Sequence, residues 1–198
     1  NGSCCIELDM NTKLQFKKGE IELSNPLIAA SGSMGHSNEL FQVIDPREFG
    51  AITIKSLAPF FSAGNPSPRV AAAATGMMNS VGLPGPHVQD WIDEELPKIK
   101  NSGAKIIMAI WGTEFEHYTQ AAKIVAEHAT SFIALEVNVS CPNTESGGRL
   151  FAFDKDECKK IAELVKTEIG DKLPVFMKLS SAVTSIVDIA SGAVEGGV

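Results

Sequence analysis

The sequence predicts an α/β fold of the (β/α)₈ TIM-barrel type, of which about five βα units are present in this chain. Near-continuous apolar runs recur along it, as is typical of parallel strands buried on both faces. Helical patterns separate these runs, and polar residues cluster where at least four of the runs end. A doubly wound sheet uses its strand ends only at the switch point, so this spread favours the barrel.

The strands are predicted from alternation and from apolar runs. Residues Leu14–Leu23 alternate apolar and polar around Lys18-Gly19, which indicates a β-hairpin. The predicted strands that follow are Asn25–Gly32, Ala51–Ser56, Lys105–Gly112, Phe132–Val139 and Pro174–Ser180.

Helices are predicted from apolar stripes and end signals, over Val88–Lys100, Thr113–Ala129 and Asp154–Gly170. Thr113 with Glu116 three residues later reads as a capping box. Asp154 is the predicted N-cap of the last helix, and Gly170 is its predicted stop. Pro97 is expected to end or kink the first helix.

Composition excludes several classes of function. The 198 residues are 44% hydrophobic, enough for one sizeable core. A net charge of −7 argues against a nucleic-acid partner, which needs a basic footprint. No apolar run approaches the roughly 18 residues of a membrane span, so no membrane partner is expected.

Cysteine usage favours a reducing compartment. The four cysteines, Cys4, Cys5, Cys141 and Cys158, contain no Cys-x-x-Cys pair. Neither a metal site nor a disulfide framework is therefore indicated, and a cytoplasmic location fits best.

Two lysines end predicted strands. Lys55 follows one buried-type run and Lys178 ends another. Each has two interpretations: a side chain that reaches the rim to keep its charge in water, or a cation aimed at an anionic ligand. The presence of two such lysines on different strands strengthens the second interpretation.

Cys141 also follows a predicted strand, between Asn138 and Asn143. It is either a small buried hydrophobe or a reactive thiol, and the spacing alone leaves both open.

Residues Gly76–Pro86 form an apolar loop with many small residues. That loop is either an ordinary surface loop or a segment whose backbone approaches a flat ligand.

Five segments together resemble a known family. They are NPLIAASG, TIKS, GMMNSVGLP, NVSCPN and FMKLS, in this order between about Leu14 and the C-terminus. In combination they resemble class 1 dihydroorotate dehydrogenases, which are FMN-dependent (β/α)₈ barrels of pyrimidine synthesis that oxidise dihydroorotate to orotate. NVSCPN together with NSVGLP is the most specific part of the resemblance.

The resemblance implies roles for individual residues. Cys141 would be the base that removes the C5 proton of dihydroorotate. The implied substrate-binding residues are Lys55, Asn79, Val81, Gly82, Leu83, Asn138 and Asn143. The implied FMN-binding residues are Ala30, Ser31, Gly32, Lys55, Ser56, Asn138 and Lys178.

The resemblance also has departures. Ser181-Ala182 stands where the family usually has Pro-Asn after the Lys-Leu-Ser sequence. Residues 1–9 are interpreted as a tag or other non-native leader, and residues 10–198 as the N-terminal part of one FMN-binding barrel domain. The family's later strands supply an Asn-Thr motif and the Gly-rich turns for the FMN phosphate, so weak or no FMN binding is expected of this chain alone.

The segment Asn143–Asp154 favours class 1B over class 1A. The resemblance thus implies a homodimer and a second subunit that carries FAD and an iron–sulfur cluster and passes electrons to NAD⁺. Two alternatives stay open: an FMN barrel like tRNA-dihydrouridine synthase, whose motif has Gly before the cysteine, and a non-catalytic barrel fragment.

Overall fold

The computed structural model describes residues 11–16, 19–140 and 151–198. It contains nine strands in these parts of the chain: β1 Thr12–Phe16, β2 Gly19–Leu23, β3 Ile28–Ala29, β4 Ala51–Thr53, β5 Val70–Ala73, β6 Gly76–Asn79, β7 Ile106–Ile110, β8 Ala134–Asn138 and β9 Val175–Lys178. Five helices accompany them: α1 Val88–Glu94, α2 Leu96–Lys100, α3 Phe115–Glu127, α4 Lys155–Ile169 and α5 Ile186–Glu195.

Strands β3, β4, β7, β8 and β9 form one parallel sheet in the order in which they occur along the chain. A doubly wound sheet reverses its order at the switch point, whereas a barrel adds each strand beside the previous one. The unbroken order confirms the predicted barrel type.

All five of these strands are shorter than the predicted runs, and β3 differs most. Only Ile28–Ala29 of the Asn25–Gly32 run is a strand, and the Asn25 side chain binds the backbone just before it. Its Oδ1 accepts from the backbone N–H groups of Leu27 and Gly50 at 2.9 and 3.0 Å.

The two faces of the sheet have different partners. Residues of one parity, such as Leu135 and Val137, pack with the helices in the main core. The alternate residues of each strand face inward. On this inward face, near the start of the strands, Ala51, Ile107 and Ala134 contact Ile21 and Leu23 of the β1–β2 hairpin. This hairpin was predicted, and it covers the end of the sheet where the strands begin.

The helices confirm most of the predicted end signals. Asp154 caps α4, accepting from the backbone N–H groups of Asp156 and Glu157, and Gly170 ends it with φ 57°. The predicted helix Val88–Lys100 is divided into α1 and α2, with Pro97 in the first turn of α2.

The predicted capping box of α3 is wrong. The N-cap is Glu114, without a side-chain cap hydrogen bond. The Thr113 backbone N–H instead donates to His117 Nδ1 at 3.3 Å, and the Thr113 hydroxyl lies 3.2 Å from the same nitrogen. A side chain of the first turn has thus drawn Thr113 away from the capping position.

The predicted loop between residues 58 and 86 contains a hairpin that the sequence analysis missed. Strands β5 and β6 are antiparallel, and all eight of their residues are exposed. Alanine and glycine are depleted in strands, so a run such as Val70–Ala73 carries little strand signal.

Candidate functional site

Polar residues gather at the carboxyl edge of the parallel sheet, as predicted. Ser31 and Gly32 follow β3, Lys55 and Ser56 follow β4, and Asn138 and Lys178 end β8 and β9. Asn138 and Lys178 are direct partners in the β8–β9 register, so their side chains leave the same end of the same face.

A chain of hydrogen bonds joins three of these residues. Asn138 Nδ2 donates to Ser56 Oγ at 3.1 Å, and Ser56 Oγ lies 3.2 Å from Ser31 Oγ. Ser31 Oγ donates its single proton to the carbonyl of Ile54 at 2.9 Å, so Ser56 must donate to Ser31. The donors of the three side chains therefore all point the same way, from the end of β8 through the end of β4 to the end of β3.

The other end of the Asn138 amide is also engaged. Asn138 Oδ1 accepts from the backbone N–H of Ser140 at 3.1 Å and from its hydroxyl at 3.0 Å. Asn138 is buried, and these contacts fix which amide atom points to which neighbour. The turn that leads to Cys141 thus starts from a rigid point.

Tyr118 supports this point from the helix side, a role that the sequence analysis missed. Its hydroxyl lies 3.0 Å from the Asn138 carbonyl and 3.3 Å from the Gly112 carbonyl. From the sequence, Tyr118 is predicted only to lie within the helix Thr113–Ala129. A buried tyrosine needs a partner for its hydroxyl, and this was the available signal.

Glu136 lies one inward-facing position before Asn138, and the sequence analysis gave it no role. Its Oε1 is 3.9 Å from Lys178 Nζ, and that oxygen is buried without a hydrogen-bond partner among the described residues. Burial raises the pKa of the Glu136 carboxyl, and the nearby Lys178 ammonium opposes this shift. Here burial outweighs the Coulombic attraction.

The raised pKa predicts a pH-dependent difference in stability between the wild type and Glu136→Gln. A group whose pKa is higher in the folded state stabilises the fold below its unfolded pKa, about 4.3 for Glu. That contribution is lost as the pH rises through the folded pKa. The unfolding free energy of Glu136→Gln, measured by urea titration, should therefore rise relative to the wild type between pH 4 and pH 7. A constant difference would contradict the shift, and Glu163→Gln on exposed α4 surface is the control.

Lys55 is only partly buried and lies beside the turn after β3. A Cβ atom on Gly32, whose φ is +86°, would come 3.8 Å from Lys55 Cγ. The pKa of the His36 imidazole is lowered mainly by burial, and the nearby Lys55 charge lowers it further. The His36 ring donates through Nε2 to the Pro84 carbonyl at 3.1 Å.

The loop that contains Val81, Gly82 and Leu83 is held in an unusual backbone conformation. Gly82 has φ 75° and Leu83 has φ 50°. A Cβ atom on Gly82 would lie 2.5 Å from the backbone nitrogen of Asn65, so a larger residue would displace the loop. Asn79 ends the exposed strand β6 just before this loop.

Cys141 and Asn143 lie outside the described residues, so their roles stay predictions. Strand β8 and the fixed Asn138–Ser140 turn lead directly to Cys141 in the sequence. The structure thus joins Ser31, Ser56 and Asn138, sets Lys178 beside Asn138, and places Lys55 beside Gly32.

Cys158 is a buried structural thiol on α4, within the predicted helix Asp154–Gly170. Its Sγ donates to the Phe151 carbonyl at 3.3 Å, and burial raises the pKa of the thiol to about 11. In a variant with Ser at positions 4, 5 and 141, Ellman's reagent should react with Cys158 at pH 8 only after unfolding in guanidinium. Fast reaction of the native variant would contradict this.

Among the residues that the structure describes, no group of three or more His, Cys, Asp or Glu side chains could hold a metal ion. No described helix is long and apolar enough to cross a membrane.

The edge of the sheet fits a flat anionic cofactor such as FMN. The turn after β3 consists of small residues, and the backbone of Gly32 lies beside the Lys55 stem. Lys178 keeps 39% of its side chain exposed, so its ammonium is accessible from the edge. Hydroxyl, amide and ammonium groups are suitable donors for the polar rim of a flavin.

A family model described as dihydroorotate dehydrogenase matches residues 13–198. The chain belongs to the dihydroorotate dehydrogenase family. This match favours the predicted resemblance over the tRNA-dihydrouridine synthase alternative. The dihydroorotate dehydrogenase resemblance in the sequence is thereby confirmed.

Curated relatives carry the name dihydroorotate dehydrogenase B (NAD(+)), catalytic subunit. That of Alkaliphilus metalliredigens is 38% identical over 177 residues, which are 89% of this chain and 57% of the relative. That of Oceanobacillus iheyensis is 38% identical over 184 residues, which are 93% of this chain and 60% of the relative. The chain thus spans less than two thirds of the length of these relatives, and their names agree with the predicted subclass 1B.

A solved structure of the dihydroorotate dehydrogenase of Eimeria tenella, in complex with ferulenol, is similar to this chain with a TM-score of 0.71. The similarity covers 94% of this chain and 57% of that one at 19% sequence identity. At this identity the likeness shows the fold, and it confirms that the parallel sheet is part of a barrel.

Proposed function

We propose that the protein oxidises dihydroorotate to orotate with bound FMN, in the cytoplasm. The observation that carries the proposal is the Asn138–Ser56–Ser31 hydrogen-bond chain. It joins residues from three strand ends that are expected to bind FMN or substrate, in a chain that matches the family model. Ser56 and Asn138 are 82 positions apart in sequence, and their 3.1 Å contact supports one shared site.

In this proposal Cys141 removes the proton from C5 of dihydroorotate, and the C5–C6 bond becomes a double bond as C6 loses a hydride. Bound FMN would supply the hydride acceptor, which no side chain provides. A thiol with an unperturbed pKa of about 8.5 serves as base near neutral pH if its surroundings favour the thiolate.

The remaining residues bind and orient. The amides of Asn79, Asn138 and Asn143 would orient the substrate without competing as bases, because an amide does not take up a proton near neutral pH. The ammonium groups of Lys55 and Lys178 would hold negative charge at the edge of the sheet.

We further propose that the protein works as a homodimer, together with a second subunit that carries FAD and an iron–sulfur cluster and passes electrons to NAD⁺. The names of the relatives support the second subunit and the NAD⁺ acceptor, since they describe an NAD⁺-dependent catalytic subunit. Size-exclusion chromatography with light scattering, with and without the candidate subunit, would test the assembly.

The test of function uses protein expressed from its complete reading frame. We expect a flavin absorbance spectrum at near-stoichiometric occupancy and orotate formation from dihydroorotate. Lys178→Met should weaken FMN binding, whereas the same change at exposed Lys123 on α3 should not. Bound flavin without orotate formation, or reduction of uridine in tRNA, would overturn the proposal.

A further inference from the structure

We propose that Glu136 sets the charge that the Lys178 site presents to its ligand. This inference rests on the proposed function and names a residue to which neither the sequence motifs nor the comparisons assign a role.

Glu136 and Lys178 belong to the same inward-facing surface. Their neighbours along β8 and β9, Val137 and Met177, pack toward the helices, so the alternating residues face the other way. In register Glu136 is opposite Phe176, and Lys178 is the next inward residue along β9. The carboxylate thus lies one residue layer below the ammonium.

The distance between the two groups indicates a Coulombic contact. At 3.9 Å, Oε1 of Glu136 is too far from Lys178 Nζ for a hydrogen bond. The carboxylate therefore accepts no hydrogen bond from the Lys178 ammonium, and the two groups interact through their charges. Its side chain is 17% exposed and that of Lys178 is 39% exposed, so the lysine is on the accessible side of the pair.

Apart from Lys178, the described neighbours of Glu136 offer no structural reason for a carboxylate. Its partners in register on β7 and β9 are Ala109 and Phe176, which have no side-chain donor. On its own strand the next inward residue is Asn138, whose Oδ1 is engaged with Ser140 and whose Nδ2 donates to Ser56. A buried carboxylate oxygen with no hydrogen-bond partner among the described residues costs stability, and such a group is a candidate for a functional role.

The role follows from the charges at this edge. Lys55 and Lys178 are cations. Glu136, one residue layer below Lys178, is the anion that faces it. With Glu136 ionised, these three groups carry one net positive charge, and with Glu136 neutral they carry two. An anionic ligand, such as a flavin that has gained electrons, is held more strongly in the second case.

The first test measures the midpoint potential of bound FMN in protein from the complete reading frame. Glu136→Gln keeps the shape and removes the charge, so we expect an upward shift of the potential. Lys178→Met should shift it downward, and Glu163→Gln on the exposed surface of α4 should leave it unchanged. An unchanged or lowered potential in Glu136→Gln would overturn the proposal.

The second test needs no flavin. Glutamate labelled with ¹³C at Cδ reports the titration of Glu136 by NMR, with Glu136→Gln identifying its signal. The nearby ammonium opposes the rise in the pKa of the Glu136 carboxyl, so we expect Lys178→Met to make Glu136 lose its proton at higher pH. An unchanged titration would overturn the proposed pairing. Failure to bind FMN would instead count against the proposed function, so the two failures are distinguishable.

Discussion

Replacing Cys141 by Ala is expected to lower the turnover of dihydroorotate by roughly 10²- to 10⁴-fold while FMN stays bound. Alanine has no ionisable group, so the C5 proton would have to pass to water or to a worse-placed base. The measurement is steady-state orotate formation at pH 7 to 9, beside the flavin spectrum of the same sample. The loss should be in the rate constant of the chemical step rather than in flavin occupancy.

Cys158→Ala is the matched control, because it removes a thiol that is buried in the α4 stripe. It should leave turnover near the wild-type value and change only stability. Turnover by Cys141→Ala at the wild-type rate would show that Cys141 is not the base. Loss of flavin together with turnover would assign Cys141 to binding.

Leu135→Ala is expected to lower the free energy of unfolding by about 2–5 kcal/mol, the largest effect on stability that we predict. Leu135 is fully buried in the centre of β8 and packs in the main core between the sheet and the helices. Removing three carbon atoms there leaves a cavity that rigid neighbouring strands cannot close. Urea denaturation followed by circular dichroism measures the change.

Leu27→Ala makes the same chemical change where the side chain is 60% exposed. Its effect should stay within about 0.5 kcal/mol. Equal losses in the two variants would mean that the parallel sheet does not supply the main core.

The parts of the fold that the sequence predicted share a local cause. Asp154 and Gly170 define α4 through contacts within a few residues, and the near-continuous apolar runs of β7 and β8 are signals carried by a few consecutive residues. The Val70–Asn79 hairpin was missed because that local signal is absent: its alanines and glycine do not favour a strand.

The candidate site was predicted in its residue types and not in its contacts. Ser31, Ser56 and Asn138 were each assigned from strand ends and family motifs, but their hydrogen bonds depend on the register of three strands. Glu136 was missed although a signal existed. It has the same parity as Asn138 in an otherwise apolar strand, which places a charge on the inward face.

The β1–β2 hairpin has a consequence for the order of folding. Ile21 and Leu23 contact Ala51 of β4 and also Ile107 and Ala134, and the last two are more than 80 positions away in the chain. The contacts with Ile107 and Ala134 form only after a long loop has closed, and their surface does not exist until β7 and β8 have assembled. The first hairpin of the chain is therefore expected to dock among the last elements, so its contacts slow unfolding more than they speed folding.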